Sequence, residues 1–334
     1  MTIPRLTKSV SVIVPTRGST ATIHEAVASV LKCEILEVLV ISKTEIQIGS
    51  LAREGSVKVI VAPDLNISQA RNLGILMSTG DIVAFTDDDC TVKEDWLSSA
   101  LTHFEDERVA VVGGPGLTHP DDPDLAKCAG AVLASPFGTF SSASRYVARS
   151  NHPREATEQN LSTCNLFFRR STLEHVGFFE STQYPCEENE LIERIRAAGY
   201  KVLYAPSCIV YHHRRPLFRP FLRQISFYAV GRAVFTVRDP RNFRPIVAAP
   251  STLFLSTILL PILYAYSVSS FILIGVIHIL YLIFVSIGAL ASTLTNRLRL
   301  RFAPITCIGI ILMHYCYGIS FIRGLFEAIR RFRH

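Results

Sequence analysis

Three consecutive carboxylates, Asp87, Asp88 and Asp89, follow the apolar run Ile82 to Phe85 after a single threonine, Thr86. Such a run reads as a buried strand, and like charges gathered at its end repel one another unless a cation sits among them. Hard divalent ions such as Mg or Mn take oxygen ligands and keep positions open for phosphate, so one chemistry open to the triplet is holding a metal against a diphosphate. The other reading is a solvated acidic turn. A second acidic group, Glu187, Glu188 and Glu190, opens a helix whose later positions Leu191, Ile195 and Ala198 are apolar. A glutamate there can take a proton from a hydroxyl in a cleft, or simply complement the helix dipole. Arg71, beside Asn72, could reach a phosphate or lie exposed, and Tyr211-His212-His213-Arg214-Arg215 could clamp a metal-phosphate group or meet lipid headgroups.

The elements that must position these residues alternate along the chain. An apolar strand at Val10 to Val14 is followed by an amphipathic helix near Thr22 to Leu31 and strands at Glu37 to Ile41 and Val57 to Val61. A helix around Ser68 to Ser78 and a turn at Thr79-Gly80-Asp81 then lead into the strand that stops at the triplet. This order predicts a doubly wound, mostly parallel α/β sheet, with ligands bound beyond the carboxyl ends of its strands, where Pro15-Thr16-Arg17 and the triplet both fall. Residues 113 to 160, rich in Gly, Pro, Ser and Asp, read as loops and short pieces. Regular structure resumes as a strand at Asn165 to Arg170, helices at Ser171 to Val176 and Glu187 to Ala198, and a strand at Lys201 to Ala205.

Beyond His212 the chain changes character. Leu217 to Val237 spaces Phe218, Phe221, Leu222, Ile225, Tyr228 and Ala229 as on a helix, with Arg219, Arg223 and Arg232 between, and predicts a basic helix in a membrane interface. Three apolar stretches follow, Ile246 to Tyr266, Val268 to Ala291 and Ala303 to Ile322, each near the ~20 residues that span a bilayer. The basic loop at Arg297, Arg299 and Arg301 fits a cytoplasmic face, whereas three crossings put Arg323, Arg330, Arg331 and Arg333 on the opposite one. No signal-peptide core precedes Pro15, so the catalytic part is expected in the cytoplasm. The net charge of +6 is concentrated in arginines between 214 and 244, which suits anionic lipid rather than nucleic acid. Eight cysteines without a Cys-x-x-Cys spacing argue against a disulfide framework and a cysteine zinc site.

Five segments, in this order, resemble family 2 glycosyltransferases of the GT-A fold, the group that includes dolichol-phosphate mannose synthases and cellulose synthase. They are Val12 to Arg17, Ser68 to Gly74, Asp87-Asp88-Asp89 with Asp95-Trp96-Leu97, Thr163 to Arg170, and Glu187-Glu188 to Gly199-Tyr200. The resemblance spans about residues 8 to 240, and the tail is similar to a reduced cellulose-synthase plan. It implies a GT-A catalytic domain over 1–212, an interface-helix region at 213–245, transmembrane segments over 246–322 and a basic tail at 323–334. It further implies an inverting transfer from a nucleotide sugar, GDP-mannose before a UDP-sugar, to a membrane-associated, lipid-linked glycan acceptor. Pro15, Thr16, Arg17, Arg71, Asp87, Asp88 and Arg215 are then expected around the donor, and Asp87, Asp89 and His212 on a divalent Mn or Mg ion. Glu188 is the expected base, with Glu187 in reserve, and Asn165 and Arg169 are expected on the acceptor side. Two departures stand out: the strand Val38 to Ile41 runs into Ser42-Lys43 where the family has an Asp pair, and the Gln-x-x-Arg-Trp element of processive synthases is missing, Trp96 being the only tryptophan. A processive synthase and a non-catalytic nucleotide-sugar-binding protein are the alternatives.

Overall fold

The computed structural model describes residues 8–18, 21–49, 51, 55–148, 152–180 and 186–332. The chain divides into two compact units, residues 1–121 with 144–213, and residues 122–143 with 214–334.

In the first unit the chain alternates as expected. The order is β1 (Val10–Thr16), α1 (Ile23–Val30), β2 (Glu37–Ser42), β3 (Val57–Val61), α2 (Ile67–Met77), β4 (Ile82–Phe85), β5 (Cys90–Val92) and α3 (Trp96–Leu101). β6 (Val109–Gly113) and β7 (Gly116–Thr118) follow, and after the excursion of residues 122–143, which carries α4 (Asp124–Ala134) and α5 (Pro136–Thr139), come β8 (Arg154–Glu155), β9 (Leu166–Arg169) and α6 (Arg170–Val176). α7 (Glu187–Ala197), β10 (Lys201–Tyr204) and β11 (Val210–His212) complete it. Eight strands form one sheet in the order β3-β2-β1-β4-β9-β6-β10-β8, with β9 antiparallel to both neighbours and β8 antiparallel to β10. A small second sheet, β5-β11-β7, lies beyond.

Alternating side chains give the large sheet two cores. Val12, Val14, Val38 and Val40 pack with Ile23, Val27 and Trp96 on one face, while Ile13, Leu39, Val83 and Phe85 pack with Ile75, Leu191 and Ile195 on the other. α2 seats unusually close, because a Cβ at Gly74 would stand 2.6 Å from Cγ2 of Ile13. That approach lays Arg71, one turn earlier, at the end of the sheet.

In the second unit, α8 (Arg219–Arg238) is followed by α9 (Ala249–Tyr266), α10 (Val268–Thr295) and α11 (Ala303–Phe332). Among the described residues three helices are long and apolar enough to cross a membrane, Pro245–Tyr266, Val268–Thr295 and Leu300–Arg331. One sequence expectation, that residues 113–160 form loops and short pieces, is corrected here. Residues 113–160 hold the eleven-residue α4, whose apolar surface packs on α10 and α11: the Ser292 hydroxyl donates to Ala131 O at 2.5 Å, and a Cβ on Gly309 would meet Val132 at 2.7 Å. Its near-uniform burial is why periodicity missed it. The face of α8 expected in the membrane interface is largely taken by α11, with Ala229 and Ala233 against Phe321 and Ser320 Oγ on Ser226 at 2.8 Å, while Phe218, Phe227 and Tyr228 stay exposed. The basic tail continues α11 as helix, with an Arg323–Glu327 pair at 3.3 Å.

One buried carboxylate ties the first unit together. Glu37 accepts from Ser11 Oγ (2.8 Å), Thr79 N (2.8 Å) and Thr79 Oγ1 (2.9 Å) and pairs with Lys58 Nζ (2.8 Å). Burial pushes its acidity constant up, but Lys58, Ser11 and Thr79 outweigh this and hold it at about 2. A folded value below the ~4.3 of an unfolded glutamate means that this stabilisation is present at neutral pH and is lost as the pH falls from about 4.3 towards 2. Glu37→Gln is expected to cost about 1–3 kcal/mol at pH 7 and to flatten the acid limb of Tm against pH, measured by thermal unfolding of detergent-solubilised protein.

Candidate active site

Sheet register alone explains how the acidic triplet meets its neighbours. β1 and β4 run parallel with Ile13 opposite Phe85, so three residues on Thr16 meets Asp88. There the Thr16 hydroxyl donates to the Asp88 carboxylate and accepts from Gly18 N–H at 3.2 Å. β9 runs antiparallel with Leu166 opposite Phe85, which brings the residues just before Leu166, Thr163 and Cys164, beside Asp87. β11 pairs antiparallel with β5, His212 opposite Cys90, so the His212 ring reaches Asp89, with Nε2 3.1 Å from Oδ1.

Arg71 joins these carboxylates to the second acidic group. Its guanidinium is almost completely buried, bonds through Nη1 to Glu187, donates from Nη2 to Thr163 Oγ1 at 2.8 Å and lies 3.9 Å from Asp87 Oδ1. The group also lies 5.7 Å over the Phe179 ring. Arg71, expected near the base or diphosphate, has both terminal nitrogens bonded to protein and acts as the countercharge that lets Glu187 be buried.

Glu188, next to it, faces the other way and is more open. Its nearest cation is Arg145 Nη1, at 3.9 Å, and Arg145 is itself held by Gln159 O (2.8 Å) and Asn189 Oδ1 (3.2 Å). Burial and the Glu187 charge push the Glu188 carboxyl above the usual range, against the pull of Arg145 and Arg71. Burial, Cys164 and Asp89 likewise push Asp87 up, to about 7, against Arg71 and His212. Carboxylates raised in this way are the signature of a site awaiting cationic charge or moving protons.

Asp87, Asp89 and His212 offer three ligand atoms all within 4.8 Å of one another, a set of two carboxylate oxygens and one imidazole that suits Mn or Mg. His212 also lies within that reach of Cys90 and Cys164. Burial pushes the Cys90 thiol up, so the hard oxygen donors define this site.

Other expected residues fall as follows. Pro15 is buried in β1, opposite Ile41, and Arg17 is exposed in the turn after it. Arg215 is exposed and belongs to the second unit. Asn165 and Arg169, expected on the acceptor side, are both buried. Asn165 is fully buried, accepting from Trp96 Nε1 (2.8 Å) and donating to Pro115 O (3.2 Å) and Cys208 O (2.7 Å). Arg169, opposite Ile82, lies at the far end of the sheet and caps Val109 O and Phe104 O. Both are polar residues consumed in satisfying buried backbone, a use that residue type cannot distinguish from ligand contact. Arg145 and Thr163 carried no signal of their own, since their partners lie 43 and 92 residues away.

The glycosyl transferase family 2 model matches residues 11–177, half of the 334 residues, and the chain belongs to that family. Among curated proteins it is similar to the pre-mycofactocin glycosyltransferase of Mycobacterium tuberculosis, 25% identical over 248 residues that cover 74% of this chain and 51% of that protein. It is also similar to the glycosyltransferase AglE of Haloferax volcanii, 27% identical over 181 residues, 54% of each. The chain thus spans about half the length of the curated relatives it matches. Among solved structures, the mannosyltransferase PcManGT from Pyrobaculum calidifontis, in complex with GDP-Man and Mn2+, superposes with a TM-score of 0.61 at 18% identity over 87% of this chain and 86% of that one, which shows a shared GT-A fold.

Arg71→Met leaves Glu187 and Asp87 without their cation and is expected to cost about 3–5 kcal/mol, with Arg71→Lys intermediate because a single ammonium cannot bridge Glu187 and Thr163 together. Denaturant unfolding monitored by Trp96 fluorescence measures both; a methionine variant as stable as the wild type would remove Arg71 from its role.

Proposed function

We propose that the chain is an inverting glycosyltransferase that moves a hexose, mannose from GDP-mannose in the first instance, onto a lipid-linked glycan acceptor. The observation that carries this is the convergence of Asp87, Asp89 and His212 with Glu187 and Glu188 about one buried cation, Arg71, at the carboxyl ends of the strands. Family membership supports the reaction class. The GDP-Man and Mn2+ bound by the PcManGT neighbour support the choice of sugar and metal. Helices apolar enough to cross a membrane support an acceptor held at a bilayer, and the basic loop Arg297, Arg299 and Arg301 supports a catalytic unit on the cytoplasmic face.

Asp87, Asp89 and His212 would hold a divalent cation, which when bound supplies positive charge to the leaving nucleoside diphosphate. Glu188 takes the proton from the acceptor hydroxyl as the oxygen attacks the anomeric carbon from the face opposite the phosphate. The bond from that carbon to the phosphate oxygen breaks with inversion, and the electron pair leaves on the diphosphate. Glu187, fixed by Arg71, is a positioning residue, as is Arg145, which keeps Glu188 from being neutralised altogether. The tie from Thr16 to Asp88 anchors the triplet to β1, so that Asp87 and Asp89 are turned away from it as a pair.

A metal-dependent screen of nucleotide sugars for hydrolysis and transfer, with purified protein in detergent, tests the reading; no turnover of any donor with Mn or Mg would overturn it. Glu188→Gln is expected to lower transfer by about 10²–10⁴-fold while leaving donor affinity, measured by calorimetry, near that of the wild type. Because its acidity constant is raised, Glu188 is protonated to a higher pH than an ordinary glutamate. The transfer rate of the wild type is therefore expected to climb with pH through a midpoint above ~4.3, and a midpoint at or below that value would argue against Glu188 as the base.

A further inference from the structure

Behind the carboxylate cluster, three side chains from separate elements of the first unit meet. Glu25 lies in the first turn of α1, His119 just beyond β7 and His213 just beyond β11. Glu25 Oε1 is 3.3 Å from His119 Nε2, and Oε2 is 3.5 Å from His213 Nε2. The two imidazoles stack with centroids 3.9 Å apart at 27°. We propose that Glu25, His119 and His213 form a second metal site, one for zinc or a similar borderline transition ion, separate from Asp87, Asp89 and His212.

Spacing is the first reason. Glu25 turns one oxygen to each imidazole, at 3.3 and 3.5 Å, close to the roughly 3.3–3.4 Å that separates ligand atoms on metal bonds of about 2.0–2.1 Å, so its carboxylate faces both rings at ligand spacing. All three ligand atoms lie within 4.8 Å of one another. Donor chemistry is the second. Two imidazoles with one carboxylate favour Zn over Mg, and they leave a fourth position for water or another ligand. Access is the third, since the Glu25 side chain is 51% exposed whereas His119 is buried, so an ion can enter from solvent onto a fixed ligand.

One interaction opposes binding. Asp121 N–H points at His119 Nδ1 from 3.3 Å, which keeps the ring proton on Nε2, facing Glu25, when no ion is bound. For a metal to take Nε2, that proton moves to Nδ1, and the long Asp121 contact is given up.

The position of this site has a consequence for the first one. His119 N–H donates to His212 O at 3.1 Å and His213 N–H to Asp89 O at 2.9 Å, so an ion fastening His119 and His213 to α1 also fastens the backbone that presents His212 and Asp89. The second site does not depend on which reaction the chain catalyses.

Zinc binding by the full-length protein in detergent tests it. Metal-free wild type, Glu25→Gln, His119→Ala and an Asp87→Asn/Asp89→Asn double variant are titrated with ZnCl2, and CoCl2 serves as a spectroscopic probe. Glu25→Gln is the decisive variant, because its exposed position spares the fold even where His119→Ala unfolds. The expected result is one zinc equivalent that persists in the double aspartate variant and binds more than about tenfold more weakly in Glu25→Gln. The cobalt form should show a visible tetrahedral spectrum without a sulfur charge-transfer band. Absence of zinc binding, loss of the equivalent in the aspartate variant but not in Glu25→Gln, or a sulfur-to-cobalt band reporting Cys90 and Cys164 would each overturn the proposal.

Discussion

The active end of the first unit depends on one buried guanidinium. Four carboxylates, Asp87, Asp89, Glu187 and Glu188, are drawn towards the ends of the strands, and without a countercharge their repulsion and desolvation would push the segments carrying them apart. Arg71 supplies that charge from inside the protein, bonding Glu187 and Thr163 and standing 3.9 Å from Asp87. Its placement follows from Gly74, whose missing side chain lets α2 settle against Ile13. A residue chosen for close packing and a residue chosen for charge, one turn apart, thus form one device.

Around that charge the three aspartates divide their work by register rather than by type. Asp88 is turned to β1 and taken by Thr16; Asp89 is turned to β11 and His212; Asp87 lies between, next to Arg71 and Cys164. The turn from Asp87 to Cys90, closed by Cys90 N–H on Asp87 O at 3.2 Å, points the three carboxylates in different directions, and the strands on either side determine what each meets. Adjacent histidines are likewise divided, His212 to Asp89 and His213 to Glu25.

The second unit shows how apolar helices are joined by small residues. Gly309 admits Val132, and Gly324 brings α11 against Ala233 of α8, so that a Cβ there would stand 2.8 Å from that of Ala233. Close backbone approach of this kind serves where helices gain little from excluding water. The excursion of residues 122–143 out of the catalytic sheet places α4 and α5 among these helices.

Much of this was legible without a structure. Periodicity located β1 to β4, β9, β10, α1, α2, α6 and α7 of the first unit within about two residues, because each buries one regular face, but not the short β5, β7, β8 and β11, the fully buried β6, or α3; the apolar lengths of α9 to α11 marked them as candidate spans. The placing of the triplet at the end of β4 was legible for the same reason. Contacts across long separations were not. Thr16 with Asp88, Arg145 with Glu188, and Glu25 with His119 and His213 join residues whose local sequence carries no mark of the partner. Asn165 and Arg169 looked like site residues and became scaffolding, since a polar side chain serves whichever buried group the sheet brings to it. Sequence by itself determined which residues could be charged and which faces had to be buried. Only the tertiary structure decided which charges met, because that depends on strand order and register, properties of the sheet as a whole.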